Sequence, residues 1–134
     1  QLNAQKKSPA QKKITGVLPS IHAYYETELD LKLIKNLIID QQVQLLITND
    51  FDELTKNIDE KTPDIIIIDV SKNAIQAVKW LQTQNKILDF SSLKIVILTH
   101  IKDARFRDKC LEFGVKEVYV KPVDKKEILT LLSK

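Results

Sequence analysis

Three polar residues of different chemistry stand out: Asp69 closes the aliphatic run DIIIID, Thr99 follows KIVIL, and Lys121 follows VYV. A carboxylate, a hydroxyl and an ammonium brought to one place suit phosphoryl chemistry. The carboxylate would be the nucleophile, the hydroxyl would donate a hydrogen bond to phosphoryl oxygens, and the ammonium would hold their charge. Each has a bland reading when taken alone. A strand-terminal Asp or Thr is commonly a cap or loop residue, and a lysine is commonly solvated. Their common position at strand ends raises them above that background, because open doubly wound sheets form sites beyond the carboxyl ends of their strands.

The elements that must position them follow from hydrophobic spacing. After Pro19 short apolar runs alternate with amphipathic stretches, as expected of βαβ units around a parallel sheet. The first strand is expected over Ser20–Tyr25, with Thr27 as a helix N-cap and Asp30 three residues on. Leu29, Leu33 and Leu37 with Ile34 and Ile38 make one helical stripe. Val43–Ile47 reads as the second strand, and Asp50 with Glu53 as a capping box opening a short helix to Ile58. Asp64–Asp69 and Leu93–Leu98 are apolar on both faces, the pattern of central strands covered above and below. Between them the spacing predicts a helix over Asn73–Thr83, with Trp80 covering its edge. A further helix over Asp103–Phe113 is stopped by Gly114, followed by strand Lys116–Val120, Pro122, and a last helix capped by Asp124 with Glu127. The expected fold is α/β, a doubly wound five-stranded parallel sheet with five helices.

Composition narrows the functional classes. The chain has 134 residues, 43% hydrophobic and 29% charged, which suits one globular domain with a sizeable core. Its net charge of +3 comes from Lys6, Lys7, Lys12 and Lys13, in a polar stretch over residues 1–13 that reads as a flexible basic linker ahead of a domain over 14–134. From Ile14 onward 17 basic residues face 18 acidic ones, so the one-sided basic field of a nucleic-acid binder is absent. The longest aliphatic run, Ile65 to Ile68, is far below the ~20 residues of a membrane span. One cysteine and two histidines without a metal-site spacing fit a reducing, cytoplasmic setting. The sequence begins at Gln1 and contains no methionine, and reads as a piece of a longer protein.

At these residues the sequence resembles the receiver domain of two-component response regulators, over most of residues 20–133. PDIIIID resembles the strand that presents the phospho-accepting aspartate, KIVILTH carries the family's Thr or Ser at Thr99, and VKEVYVKPVD carries its Lys-Pro pair at Lys121 and Pro122. Gly114 falls where the family has a glycine before its fifth strand. The resemblance implies a flavodoxin-like three-layer sandwich. It implies phosphoryl transfer from a histidine kinase or phosphotransfer domain to Asp69, with Thr99 and Lys121 on the phosphoryl group and at most self-catalysed chemistry. It also implies Mg²⁺ on an acidic pair after the first strand, on Asp69, and on the backbone carbonyl of the residue at Ser71.

The departures define a second reading. Where the acidic pair belongs, this chain has Tyr24, Tyr25 and Glu26, so Glu26 alone is left as a side-chain partner for Asp69 at a weakened metal site. The loop after Asp69 reads VSKNAIQA and lacks the family's proline and glycine. The family's switch aromatic is Val118 here, with Tyr119 one position on and therefore on the opposite strand face. These departures suit a pseudo-receiver that takes no phosphoryl group and docks to adjacent domains of a parent signalling protein, such as a hybrid sensor histidine kinase. A flavin or nucleotide enzyme on this fold would want a phosphate loop after the first strand, and PSIHAYYETE offers none. His100 reads as a solvated loop residue and Cys110 as a small buried hydrophobe.

Overall fold

The computed structural model describes residues 18–132, so the expected linker over residues 1–13 lies outside the described residues. Five strands, β1 (Ser20–Tyr24), β2 (Gln44–Thr48), β3 (Ile65–Asp69), β4 (Lys94–Thr99) and β5 (Glu117–Val120), alternate with five helices. The helices are α1 (Glu28–Ile38), α2 (Phe51–Glu60), α3 (Ala74–Asn85), α4 (Ala104–Glu112) and α5 (Lys125–Leu132), with one turn of 3₁₀ helix at Phe90–Ser92. The strands form one parallel sheet in the order β2-β1-β3-β4-β5, so the doubly wound architecture is as expected.

Strand β3 sits in the middle, and its composition explains why. Every residue of IIIID is buried, and β-branched side chains suit a pleated strand covered on both faces. Alternation sends Ile66 and Ile68 into a core shared with Leu54, Ala77, Leu81 and Cys110 from α2, α3 and α4. It sends Ile65 and Ile67 into a second core with Ile34 and Ile38 of α1 and Ile128 and Leu131 of α5. Trp80 is also buried in the first core, where its indole nitrogen donates to Thr55 Oγ1 at 2.8 Å. Val118 joins that core while Tyr119 packs against the second, the opposite faces expected of neighbours in a strand.

Two local expectations are corrected. Helix α1 buries only part of the expected stripe: Ile34 and Ile38 are buried and Leu37 packs against the second core, but Leu29 and Leu33 are 66% and 41% exposed, and Asp30 takes the inward place. Its register is set by packing on the sheet and α5, which outweighs the number of leucines on the other side. At α2 the Asp50 side chain does accept from the Asp52 amide, but Glu53 does not close a capping box. It instead accepts from the Thr48 hydroxyl at the end of β2. The Thr27–Asp30 box is formed in full.

Gly114 follows α4 with φ +99°, a left-handed conformation that an L side chain adopts only with strain. A Cβ there would also stand 2.6 Å from Phe90 Cδ2. Among the described residues no helix is long and apolar enough to cross a membrane.

Candidate functional site

The parallel register brings the tips of β1, β3, β4 and β5 to one edge of the sheet. Asp69 ends β3, Thr99 ends β4 and Lys121 follows β5, joined to Pro122 by a cis peptide. The side chains there form two separate networks.

The first is centred on Lys121. Its ammonium donates to Asp69 Oδ1 at 2.7 Å and to Asp30 Oδ1 at 2.9 Å, and all three side chains are nearly inaccessible. Asp30 Oδ2 accepts the Thr27 amide at 3.1 Å, so this carboxylate caps α1 and pairs with Lys121 at once. Burial alone would raise the Asp30 carboxyl, but the Lys121 ammonium and the Thr27 hydroxyl carry it below its ordinary range. Burial alone would lower Lys121, but Asp69 and Asp30 hold it above the usual lysine value. Asp69 is 1% exposed, and burial pushes its carboxyl up to about 6 despite the neighbouring ammonium. Its Oδ2 is buried without a hydrogen-bond partner.

The second network is centred on Glu26. Its Oε1 accepts the amides of Ser71 at 2.9 Å and Lys72 at 3.1 Å, and its Oε2 accepts the amide of Asn73 at 2.6 Å. These are the N–H groups of the loop entering α3, where backbone donors and the helix dipole both favour an anion. The Asn73 side chain in turn donates to the Tyr24 hydroxyl at 3.2 Å, and the Tyr24 ring stacks on Phe51 with centroids 3.9 Å apart. Thr99, fully buried, accepts the Ile101 amide at 3.1 Å and lies 3.5 Å from Ser71 Oγ. Ser71 Oγ also accepts the His100 amide at 3.0 Å. The three tips are thereby laced together through β1, β3 and β4.

The expected residues thus meet only in part. Asp69 and Lys121 are in contact through their side chains, whereas Thr99 meets Lys121 only through the backbone, its carbonyl accepting the Lys121 amide at 2.8 Å, and among the described residues no hydrogen bond joins the Thr99 hydroxyl to Asp69 or Lys121. Glu26 and Ser71 are bonded to each other, the loop amide donating to the carboxylate. Asp30 was read from sequence only as a capping partner, and its ion pair was missed. The available signal was its register: Asp30, Ile34 and Ile38 are spaced four apart, and an acid on a buried stripe requires a partner. Cys110 is the buried small hydrophobe expected, its thiol pushed up to about 11 by burial.

This arrangement does not fit a divalent cation. Both oxygens of Glu26 are committed to backbone amides, one oxygen of Asp69 is committed to an ammonium, and Asp30 is turned to Lys121 and Thr27. Mg²⁺ needs a near-octahedral set of free oxygen donors. Among the described residues no group of three or more His, Cys, Asp or Glu side chains is placed to hold a metal.

The relatives agree with the geometry. Solved structures with the same fold include a response regulator from Thermotoga maritima, at TM-score 0.73 and 13% identity, covering 88% of this chain and 100% of that one. The signal receiver domain of an HD domain-containing protein from Pseudomonas fluorescens Pf-5 superposes at TM-score 0.75 with 19% identity, covering 87% and 93%. The chemotaxis response regulator CheY4 of Vibrio cholerae gives 0.73 and 15%, covering 87% and 98%. No curated protein matches the chain. The sequence model of the response regulator receiver domain matches residues 26–133, and with the 2-1-3-4-5 sheet and the Asp69–Lys121 contact it places this chain in the response regulator receiver family of two-component signalling.

Proposed function

We propose that this domain is a pseudo-receiver, a docking module that works by protein–protein contact inside a larger signalling protein, without Asp69 taking a phosphoryl group. The observation that carries this reading is the Glu26 carboxylate on three amides of the β3–α3 loop. A carboxylate already neutralises the loop that would face a phosphoryl group, and it is withdrawn from any cation. Asp69 adds to the obstacle. It is buried, paired to Lys121, and its carboxyl favours the proton more than an exposed aspartate does. The partners would be adjacent domains of the parent protein, with a histidine kinase or phosphotransfer domain the first candidate, in the cytoplasm.

One observation favours a second reading. The contact of Asp69 with Lys121 at the strand tips is the arrangement in which Asp69 could attack a phosphohistidine, the P–N bond breaking as the P–O bond forms. Intact mass after incubation with acetyl phosphate and Mg²⁺ separates the two. The docking reading expects no phosphoryl mass gain at high donor concentration, and a gain that disappears in Asp69→Asn would establish the acceptor.

A further inference from the structure

Strands β2 and β5 form the two ends of the sheet, and the chain treats their free edges differently. On β5 side chains take up backbone groups: the Val118 carbonyl accepts from Arg107 Nη1 at 3.1 Å, and the Val118 amide donates to Glu117 Oε1 at 2.9 Å. The strand is only four residues long and runs into Lys121 and Pro122, so charge, proline and shortness all blunt that edge.

Strand β2 has none of these devices. From Gln41 to Asn49 no residue is charged and none is proline. The Gln44 amide donates to the Pro19 carbonyl and the Thr48 carbonyl accepts from the Tyr25 amide, so these two residues, and Leu46 midway between them, face β1. Leu45 and Ile47 therefore turn their amides and carbonyls outward, where among the described residues nothing is bonded to them. Leu46 is 46% exposed beside the same edge.

An open, uncharged edge accepts another strand, and a two-fold axis at Leu46 makes this chain its own match. Antiparallel pairing about that axis sets Leu45 against Ile47 of the second copy in hydrogen-bonded pairs, and Leu46 against Leu46 in the closer non-hydrogen-bonded pair. It also sets Gln44 opposite Thr48. Lys61 Nζ donates to Gln44 Oε1 at 2.6 Å, Glu53 accepts from the Thr48 hydroxyl, and Lys61 and Glu53 are both exposed. Gln44 and Thr48 share one face of the sheet, so an ammonium of one copy meets a carboxylate of the other at each end of the pairing.

We propose that two copies of this chain pair edge to edge through β2, antiparallel about an axis at Leu46, and join their sheets into one. This surface is separate from any docking to adjacent domains and requires nothing of Asp69.

The test is analytical ultracentrifugation of the full chain between about 10 µM and about 1 mM, the range suited to a small interface, with amide hydrogen exchange alongside. A dimer is expected, the Leu45 and Ile47 amides gaining protection as concentration rises. Leu46→Lys places two ammonium groups on the axis and should leave a folded monomer. Glu53→Lys or Lys61→Glu alone should weaken the dimer by about fivefold, and the two together should restore it. A monomer throughout the range, a dimer that survives Leu46→Lys, or a double exchange that fails to recover would overturn the proposal.

Discussion

The Glu26 carboxylate accepts the backbone amide of Asn73 at 2.6 Å, across 47 positions of sequence, and so fastens the end of β1 to the start of α3. With the Ser71 and Lys72 amides on its other oxygen, this one side chain satisfies three consecutive backbone donors of the β3–α3 loop. The Asn73 side chain makes no cap of its own, and Glu26, just beyond β1, anchors the loop that leads into α3.

Replacing Glu26 by alanine should therefore destabilise the loop more than the helix body. Hydrogen bonds to a charged acceptor contribute roughly 1.5–3 kcal/mol, and a global loss of about 2 kcal/mol is expected. Amide hydrogen exchange locates it: Ser71, Lys72 and Asn73 should lose protection first, while Ile66 to Ile68 retain theirs.

Asp69 should make the fold less stable as pH rises. Its carboxyl lies at about 6 in the fold against 3.8 for an ordinary aspartate, so its contribution is fully present below pH 3.8 and is lost as pH passes through about 6. Two pH units correspond to about 3 kcal/mol at most. Asp69→Asn should accordingly be more stable than the parent at pH 8 by about 1–3 kcal/mol and nearly equal to it at pH 4, as read by urea denaturation at the two pH values.

His22 acts in the opposite direction. Burial first, and then the nearby Lys61, lower its pKa from 6.5, and its Nδ1 has no partner. An imidazole held neutral in the fold contributes stability above pH 6.5 that is lost as pH falls below that value. His22→Gln should flatten the acid limb of a melting-temperature profile between pH 7 and pH 5. An unchanged limb would show that the acid sensitivity lies elsewhere.

Lys121 holds two buried carboxylates, and Lys121→Met should leave them facing each other without a counter-charge. Breaking one side of a buried ion pair costs about 3–5 kcal/mol, so the variant should be strongly destabilised at pH 8. Much of that loss should return on adding Asp69→Asn, which removes one of the stranded charges. A double-mutant cycle measures the recovery.

The middle of the fold was legible in the sequence because its physics is local. DIIIID and LKIVIL cannot be covered on one face only, and Gly114 marks a turn that side chains resist. The strand-end positions of Asp69, Thr99 and Lys121 followed from the same runs. What could not be read was decided by contacts between distant elements. Ile34 and Ile38 were legible in the helical stripe, but Leu29 and Leu33 fit its edge by spacing as well as Asp30 does, and only the docking of α1 on the sheet and α5 turns Asp30 inward. Glu53 stands at capping distance from Asp50 in sequence, yet the Thr48 hydroxyl claims it. Glu26 carried the right charge for a metal site, and the amides that take its oxygens lie beyond β3, where no spacing rule places them.

The central claim is that Glu26, and no divalent cation, holds the β3–α3 loop. It is tested most directly by titrating Mg²⁺, with and without beryllofluoride, into the ¹⁵N-labelled domain and watching the amides of Ser71, Lys72 and Asn73. All three are expected to keep their positions to millimolar metal. A saturable shift of the Asn73 amide, matched by its displacement in Glu26→Ala, would show that the carboxylate leaves the loop for the cation and would contradict it.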